Sequence, residues 1–215
     1  MYVPDHFRMS ASDTRQFLRE VPAGTLVSHD TSGRLLASYL PWALVGEDCL
    51  TTHIGKVNPQ AHSAGQALVI LMGEDAYVSE EWMNEGEAPG WVYETLHLYG
   101  RLIIHTETDW ILQSFSDILA RFSASSLGDY EPEWLEKQAR ACVGVEFLIE
   151  EWQGKAKLAQ NRSEEEVRMI ASQIEPNCPH LADRMREVSL PHIAAREERV
   201  RQARPYDGMP IMGFQ

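Results

Sequence analysis

Apolar positions come in short runs over the first three quarters of the chain and then change to helical spacing. Phe17 and Leu18 face inward in a helix predicted over 13–20, with Ser12 or Asp13 as N-cap and Pro22-Ala23-Gly24 ending it. Short β-prone runs follow at 25–29, 35–44 and 49–53. They are separated by Asp30-Thr31-Ser32-Gly33, which reads as a tight hairpin connection, and by Gly46-Glu47-Asp48. A continuous apolar run at 67–72 resumes at 76–79 after Gly73-Glu74-Asp75, and 95–105 alternates like a half-buried strand.

Residues 109–122 carry helical spacing, with Ile111, Phe115, Ile118 and Leu119 on one face, and a second short helix is expected over 132–140. The pattern returns to strand at 142–152, turns at Gln153-Gly154-Lys155 and continues over 156–159. Ser163-Glu164-Glu165-Glu166 is a helix start with capping-box character. A further helix begins near Pro179, and Pro191 is expected to interrupt it. The tail 205–215 has no periodicity and reads as flexible. Several short strands with helices inserted late predict a β-rich α+β chain, a small barrel with added helices and a C-terminal helical extension.

The 215 residues suffice for one domain with a substantial core and a modest appendage. At 44% hydrophobic and 24% charged, the composition is that of a globular protein. No apolar run approaches the roughly 18–20 residues of a membrane span, and Met1-Tyr2-Val3-Pro4-Asp5-His6 lacks a secretory pattern, so a cytoplasmic protein without membrane contact is expected. Cys49, Cys142 and Cys178 are scattered, without a zinc or disulfide spacing, and Cys142 reads as a small core residue. The net charge of −13 opposes binding to a polyanion. In the densest basic stretch Arg196, Arg199, Arg201 and Arg204 alternate with Glu197 and Glu198, the pattern of a solvated helix. The helices after Ser163 show no helix-turn-helix signature.

Dinucleotide, P-loop, zinc-hydrolase and serine-hydrolase motifs are all missing from the sequence. Two polar segments carry candidate chemistry instead. Thr51-Thr52-His53-Ile54-Gly55-Lys56-Val57-Asn58-Pro59-Gln60 sets hydroxyls, an imidazole, an amine and amides directly after a strand. Such a set suits a phosphate dianion, and it reads equally as a polar loop before a helix at Asn58 or Pro59. Lys155-Ala156-Lys157-Leu158-Ala159-Gln160-Asn161-Arg162-Ser163 clusters cations in an acidic chain, which suits an anionic ligand. Tyr77, Trp82, Trp91, Tyr93 and Tyr99, with His97 among them, provide core and interface surface or flat walls for a ring system.

Taken together and in order, these segments resemble the PaiB-type FMN-binding negative transcriptional regulators. The likeness runs from Met1 to about Met185. It rests on Met1-Tyr2-Val3-Pro4-Asp5-His6-Phe7, Gly24-Thr25-Leu26, Leu40-Pro41, His53 to Gln60, Tyr77-Val78-Ser79 with Trp82, and Trp91-Val92-Tyr93 with His97 and Gly100. Val143-Gly144-Val145-Glu146 and Lys155 to Ser163 complete it. Glu94 departs from the pattern, which favours an uncharged residue there.

The resemblance implies an FMN-binding split β-barrel related to pyridoxamine phosphate oxidase, acting as a homodimer with FMN between subunits. It divides the chain into a barrel domain over 1–162, a helical extension over 163–204 and a flexible tail over 205–215. Leu36, Ala37, Ser38, Tyr39, Leu40 and Pro41 are then expected to border the flavin ring. Thr52, His53, Lys56, Asn58 and Gln60 would surround the phosphate, and Trp91 would supply a wall. Trp152, Lys157, Gln160 and Asn161 would also contact the cofactor, and Arg162 would approach its phosphate or the flavin's polar edge from the partner subunit. The implied role is a flavin-responsive negative regulator, with possible contact to DNA or to a small-molecule ligand. The alternative is a flavin-dependent oxidoreductase or haem-handling enzyme acting on a small molecule; no catalytic or metal-binding residue is assigned.

Overall fold

A computed structural model describes residues 1–203 of the chain. Arg204 and the 205–215 tail expectation lie outside the described residues. The strands are β1 (Ala23–His29), β2 (Leu35–Pro41), β3 (Ala43–Val45), β4 (Cys49–Gly55), β5 (Gly65–Val78), β6 (Gly90–His105) and β7 (Cys142–Lys157). The helices are α1 (Ala11–Glu20), α2 (Thr108–Phe122), α3 (Pro132–Ala141), α4 (Glu164–Ile174) and α5 (Pro179–Ala203). The strands form one sheet in the order β2-β1-β5-β6-β7-β4-β3, so β2 and β3 are its edges. Register is antiparallel, with Leu26 opposite Ser38 and Val69, and Thr52 opposite Val145. This is the split-barrel architecture expected from the sequence.

Two compact units divide the chain. Among the described residues, the first holds 1–3, 8–73 and 95–155, and the second holds 4–7, 74–94 and 156–203. In the first unit, alternation along the strands buries Leu26, Val69, Leu71, Leu96, Leu98, Val145 and Phe147. Ser10, rather than Ser12 or Asp13, caps α1 by accepting from the Asp13 N–H at 3.0 Å. The Arg121 guanidinium at the end of α2 donates to the Arg19 and Val21 carbonyls at 2.7 and 3.2 Å, satisfying the C-terminal end of α1. Gly33 takes φ +82° in the β1–β2 connection, a conformation that costs a side-chain-bearing residue about 1–2 kcal/mol.

In the second unit, Val167, Ile170, Ala171 and Ile174 of α4 pack with Leu181, Ala182 and Met185 of α5. Ser163 caps α4 with a full capping box to Glu166, as the sequence indicates. Glu94 is buried and bound by Arg184, whose Nη2 lies 3.2 Å from Oε1. The charged departure at Glu94 is thus answered by a cation 90 residues further along.

Four sequence expectations are corrected. Helix α5 runs through Pro191. Pro191 and Glu187, whose carbonyl loses its intrahelical donor, are both exposed, so water satisfies that group, while Leu181, Ala182, Met185, Ser189 and Ile193 hold the opposite face. Strand β5 continues through Gly73-Glu74-Asp75 as the sequence indicates, whereas β7 does not turn at Gln153-Gly154-Lys155. The run 35–44 is instead broken at Trp42, whose buried indole donates to the Gly24 carbonyl at 3.4 Å. Cys142 is half-buried rather than a core residue, because it opens β7 at the end of α3.

Candidate functional site

The first-unit candidates centre on the exit of β4. Asn58 caps the short 3₁₀ turn Pro59–His62 by accepting from the Gln60 N–H at 2.9 Å. Its Nδ2 donates to the Ser38 hydroxyl on β2 at 3.1 Å. Gln60 is 1% exposed, and its Nε2 donates to Ser28 Oγ at 2.9 Å, to the Leu26 carbonyl at 3.3 Å and to the Leu36 carbonyl at 3.5 Å. The loop is therefore locked onto β1 and β2, and it carries the exposed Lys56 amine at its start. Gln60 serves as an internal anchor, and its Oε1 is buried without a partner among the described residues.

Strand β2 is a sheet edge, with inward Leu36, Ser38 and Leu40 alternating with exposed Leu35, Ala37, Tyr39 and Pro41. Tyr39 is 75% exposed and Val57 97%. An edge strand leaves every second pair of backbone N–H and C=O groups open, which is a donor and acceptor row. The structure thus brings Leu36, Ser38, Asn58 and Gln60 into one hydrogen-bonded assembly, with Lys56 on the same loop.

Thr52 and His53 are successive residues of β4 and point to opposite faces of the sheet. The Thr52 hydroxyl is fully buried and unpaired among the described residues. His53 faces α2, where its ring meets Phe115 edge-on with centroids 4.3 Å apart. Burial holds the imidazole below its ordinary pKa of 6.5, and Nδ1 is buried without a hydrogen-bond partner. His53 lines a cavity of about 240 Å³ with residues of α2 and α3 and with Cys142.

The same face of the sheet carries a polar cluster. His105 Nε2 lies 2.8 Å from Glu146 Oε2, and Trp110 stacks on the imidazole at 4.1 Å and 8°. Gly144 makes room for that indole: a Cβ there would fall 2.2 Å from Trp110 Cε3. The Cys49 thiol, 3.7 Å from Glu146 Oε1, is pushed up to about 11 by burial and by that carboxylate. Burial also raises the Cys142 and Cys178 thiols. Thiolate chemistry at neutral pH is disfavoured at all three.

Trp152 is half-buried beside Arg8, Arg15 and Asp48 on another first-unit cavity, apart from the one His53 lines.

In the second unit, Trp91, Lys157, Asn161 and Arg162 line a cavity of about 330 Å³ with His6, Phe7 and Pro89. Arg162 is held by Glu87 at 2.5 Å and lies 3.8 Å from Glu166, with its side chain 15% exposed. Burial alone would raise the Glu166 carboxyl, but hydrogen bonds from Ser163 and Asn84, with the Arg162 charge, hold it below its ordinary 4.5. Gln160 is buried, accepting from Leu158 N–H and donating to the Ala156 carbonyl, so its amide shapes the backbone. That backbone includes Ala159 at φ 67°, a strained conformation for alanine beside the cavity. Arg196 donates to the Gln160 and Arg162 carbonyls at 3.2 and 2.9 Å, so this member of the basic stretch is an internal brace. Trp91 is 46% exposed, with its indole N–H bonded to Asp75 at 2.9 Å.

Lys157 and Asn161 line this cavity alongside Arg162. Glu166 lies one helical turn beyond Arg162, whereas Glu87 and Arg196, which also fix it, lie 75 and 34 residues away, at separations no local pattern spans.

The arrangement suits a flavin mononucleotide. An open backbone edge matches the polar rim of an isoalloxazine, exposed apolar side chains match its faces, and Lys56 with Asn58 suits its phosphate.

Comparison with known proteins agrees. The family model described as "Putative FMN-binding domain" matches residues 1–151. The protease synthase and sporulation protein PAI 2 of Bacillus subtilis is 28% identical over 203 residues, covering 87% of this chain and 97% of that one. Among solved structures, a conserved hypothetical protein of Mycobacterium tuberculosis is similar with TM-score 0.54 at 13% identity, covering 73% of this chain and 91% of that one. An FAD- and haem-binding protein of Mycobacterium smegmatis gives TM-score 0.55 at 17% identity, with 69% and 71% covered. At such identities the likeness establishes the split-barrel fold.

Proposed function

This chain belongs to the FMN-binding domain family matched over residues 1–151, the PaiB-type family, and from that membership we propose a flavin-responsive regulator of gene expression. FMN supplies reversible redox chemistry when bound. The chain's own residues supply the hold: the β2 edge for the ring's polar rim, and Lys56 and Asn58 for the phosphate. The observation that carries this reading is the Asn58–Ser38 hydrogen bond of 3.1 Å, which fixes the phosphate-side loop to the ring-side strand.

A homodimer completes the reading. Leu35 and Tyr39 on an edge strand are 73% and 75% exposed, an apolar surface suited to cover by a second subunit. Lys157 and Asn161 then serve the cofactor from the partner protomer. The proposed regulation acts through a protein or DNA partner; among the described residues no helix is long and apolar enough to cross a membrane. With a net charge of −13, direct DNA contact demands a local basic surface.

The test compares oxidised, reduced and flavin-free protein for retardation of DNA from upstream of its own gene, with unrelated DNA at equal salt as control. Retention that depends on the flavin state supports the regulator. Sustained oxidation of NADH or NADPH, with no flavin-dependent retention, replaces it with an oxidoreductase.

A further inference from the structure

The cavity that His53 lines lies outside the flavin assembly. It is a half-open pocket lined by Phe115 and Leu119 of α2, Tyr130, and Trp134 and Gln138 of α3. Its volume is about 240 Å³. An apolar cavity of about 150 Å³ already admits benzene, so this one has room for a bicyclic ring. Tyr130 and Trp134 stack at 5.2 Å and 16° and add flat aromatic surface to the wall. No Lys, Arg, Asp or Glu is among its lining residues, so a phosphate or carboxylate ligand would lose hydration there without a counter-charge.

The cavity's polar groups include the Tyr130 hydroxyl, the Gln138 amide, the Cys142 thiol and the His53 imidazole. His53 is on the face of β4 opposite Thr52, and its Nδ1 is buried without a partner. A satisfied core histidine has its nitrogens bonded, and an orphaned one in an apolar cavity marks a place where the fold forgoes hydrogen bonding that a ligand can supply to the ring.

We propose that this cavity is a binding site for an uncharged bicyclic ring compound carrying one hydrogen-bonding group, which pairs with the His53 imidazole. Burial keeps the imidazole neutral, in keeping with a neutral ligand. The assignment gives His53 to this cavity and leaves the flavin phosphate to Lys56 and Asn58. It stands independently of the flavin-responsive role.

The probe is 2-naphthol, titrated by calorimetry into the full chain freed of flavin. The expected result is one site per chain with a dissociation constant on the order of 100 µM or tighter. Naphthalene-2-sulfonate, the same ring with a fixed charge, should bind at least about 10-fold more weakly. Gln138→Trp fills the cavity and should abolish naphthol binding while FMN uptake persists. Should that variant fail to fold, Leu127→Trp fills the same space from another segment. His53→Phe should weaken naphthol about 10-fold. Absence of binding to the wild-type chain, equal binding of the sulfonate, unchanged binding in a folded cavity-filling variant, or displacement of naphthol by FMN would each overturn the assignment. Naphthol binding in a chain that takes up no FMN would uphold the cavity and remove the flavin reading alone.

Discussion

The Asn58 side chain joins two parts of the candidate flavin site, capping the turn after β4 with its oxygen and holding Ser38 of β2 with its nitrogen, 3.1 Å from the hydroxyl. Asn58→Ala removes both bonds. Loss of a cap and a partly buried hydrogen bond costs about 1–2 kcal/mol of stability. If the loop positions the phosphate donors, FMN affinity falls about 10-fold as well. Urea denaturation and FMN titration read the two effects, and unchanged affinity would separate the loop from the cofactor.

Lys56 and Arg162 are both cationic candidates for the phosphate in the sequence, and their surroundings differ. Lys56 is exposed, so Lys56→Ala should weaken FMN about 10- to 100-fold through a lost charge-assisted contact, with stability unchanged. Arg162→Ala leaves the largely buried Glu166 short of a partner and should lower the unfolding midpoint in its own right. Lys137→Ala, exposed on α3, should change neither. Equal behaviour of all three variants would contradict the site.

The sequence made much of this legible where the signal is local. Strand β1, helices α2 and α3 and the Ser163 start of α4 follow from periodicity and capping chemistry. What stayed hidden depends on distant partners. Glu74 and Asp75 interrupt an apolar run, and their partners are distant: Glu74 accepts from the Leu181 N–H and Asp75 from the Trp91 indole, so the polar pair is satisfied within a strand. Gly154 looks like a turn glycine but is small because Met9 and Thr14 press within 2.9 Å of where its Cβ would be. In the site, the sequence grouped Thr52 with His53, whereas strand alternation sends them to opposite faces.

The Glu94–Arg184 pair supplies a stability prediction. The two side chains are 4% and 13% exposed. Glu94→Ala takes the buried carboxylate from Arg184, leaving it the exposed Glu187 at 3.2 Å, and should cost about 3 kcal/mol, whereas the double replacement Glu94→Leu with Arg184→Met should recover much of that loss. Chemical denaturation of the three variants gives the comparison. A double variant no more stable than Glu94→Ala would contradict a desolvation origin.

The pH dependence follows from His53 and His97. Burial lowers both below 6.5, and the charged amino terminus adds to the effect at His97. The unfolded chain then binds more protons between the folded values and 6.5, so stability present above 6.5 is lost as pH falls through that window. The urea midpoint should decline from about pH 7 to about pH 5, and His53→Phe should flatten the decline. A midpoint that rises on acidification over this range would refute the assignment.

The most direct measurement is an FMN titration of flavin-free full chain, followed by quenching of flavin fluorescence and by sedimentation. The account predicts saturable uptake of one FMN per chain by a dimer, weakened in Lys56→Ala and Asn58→Ala. No uptake by folded protein, or uptake indifferent to both substitutions, would contradict it.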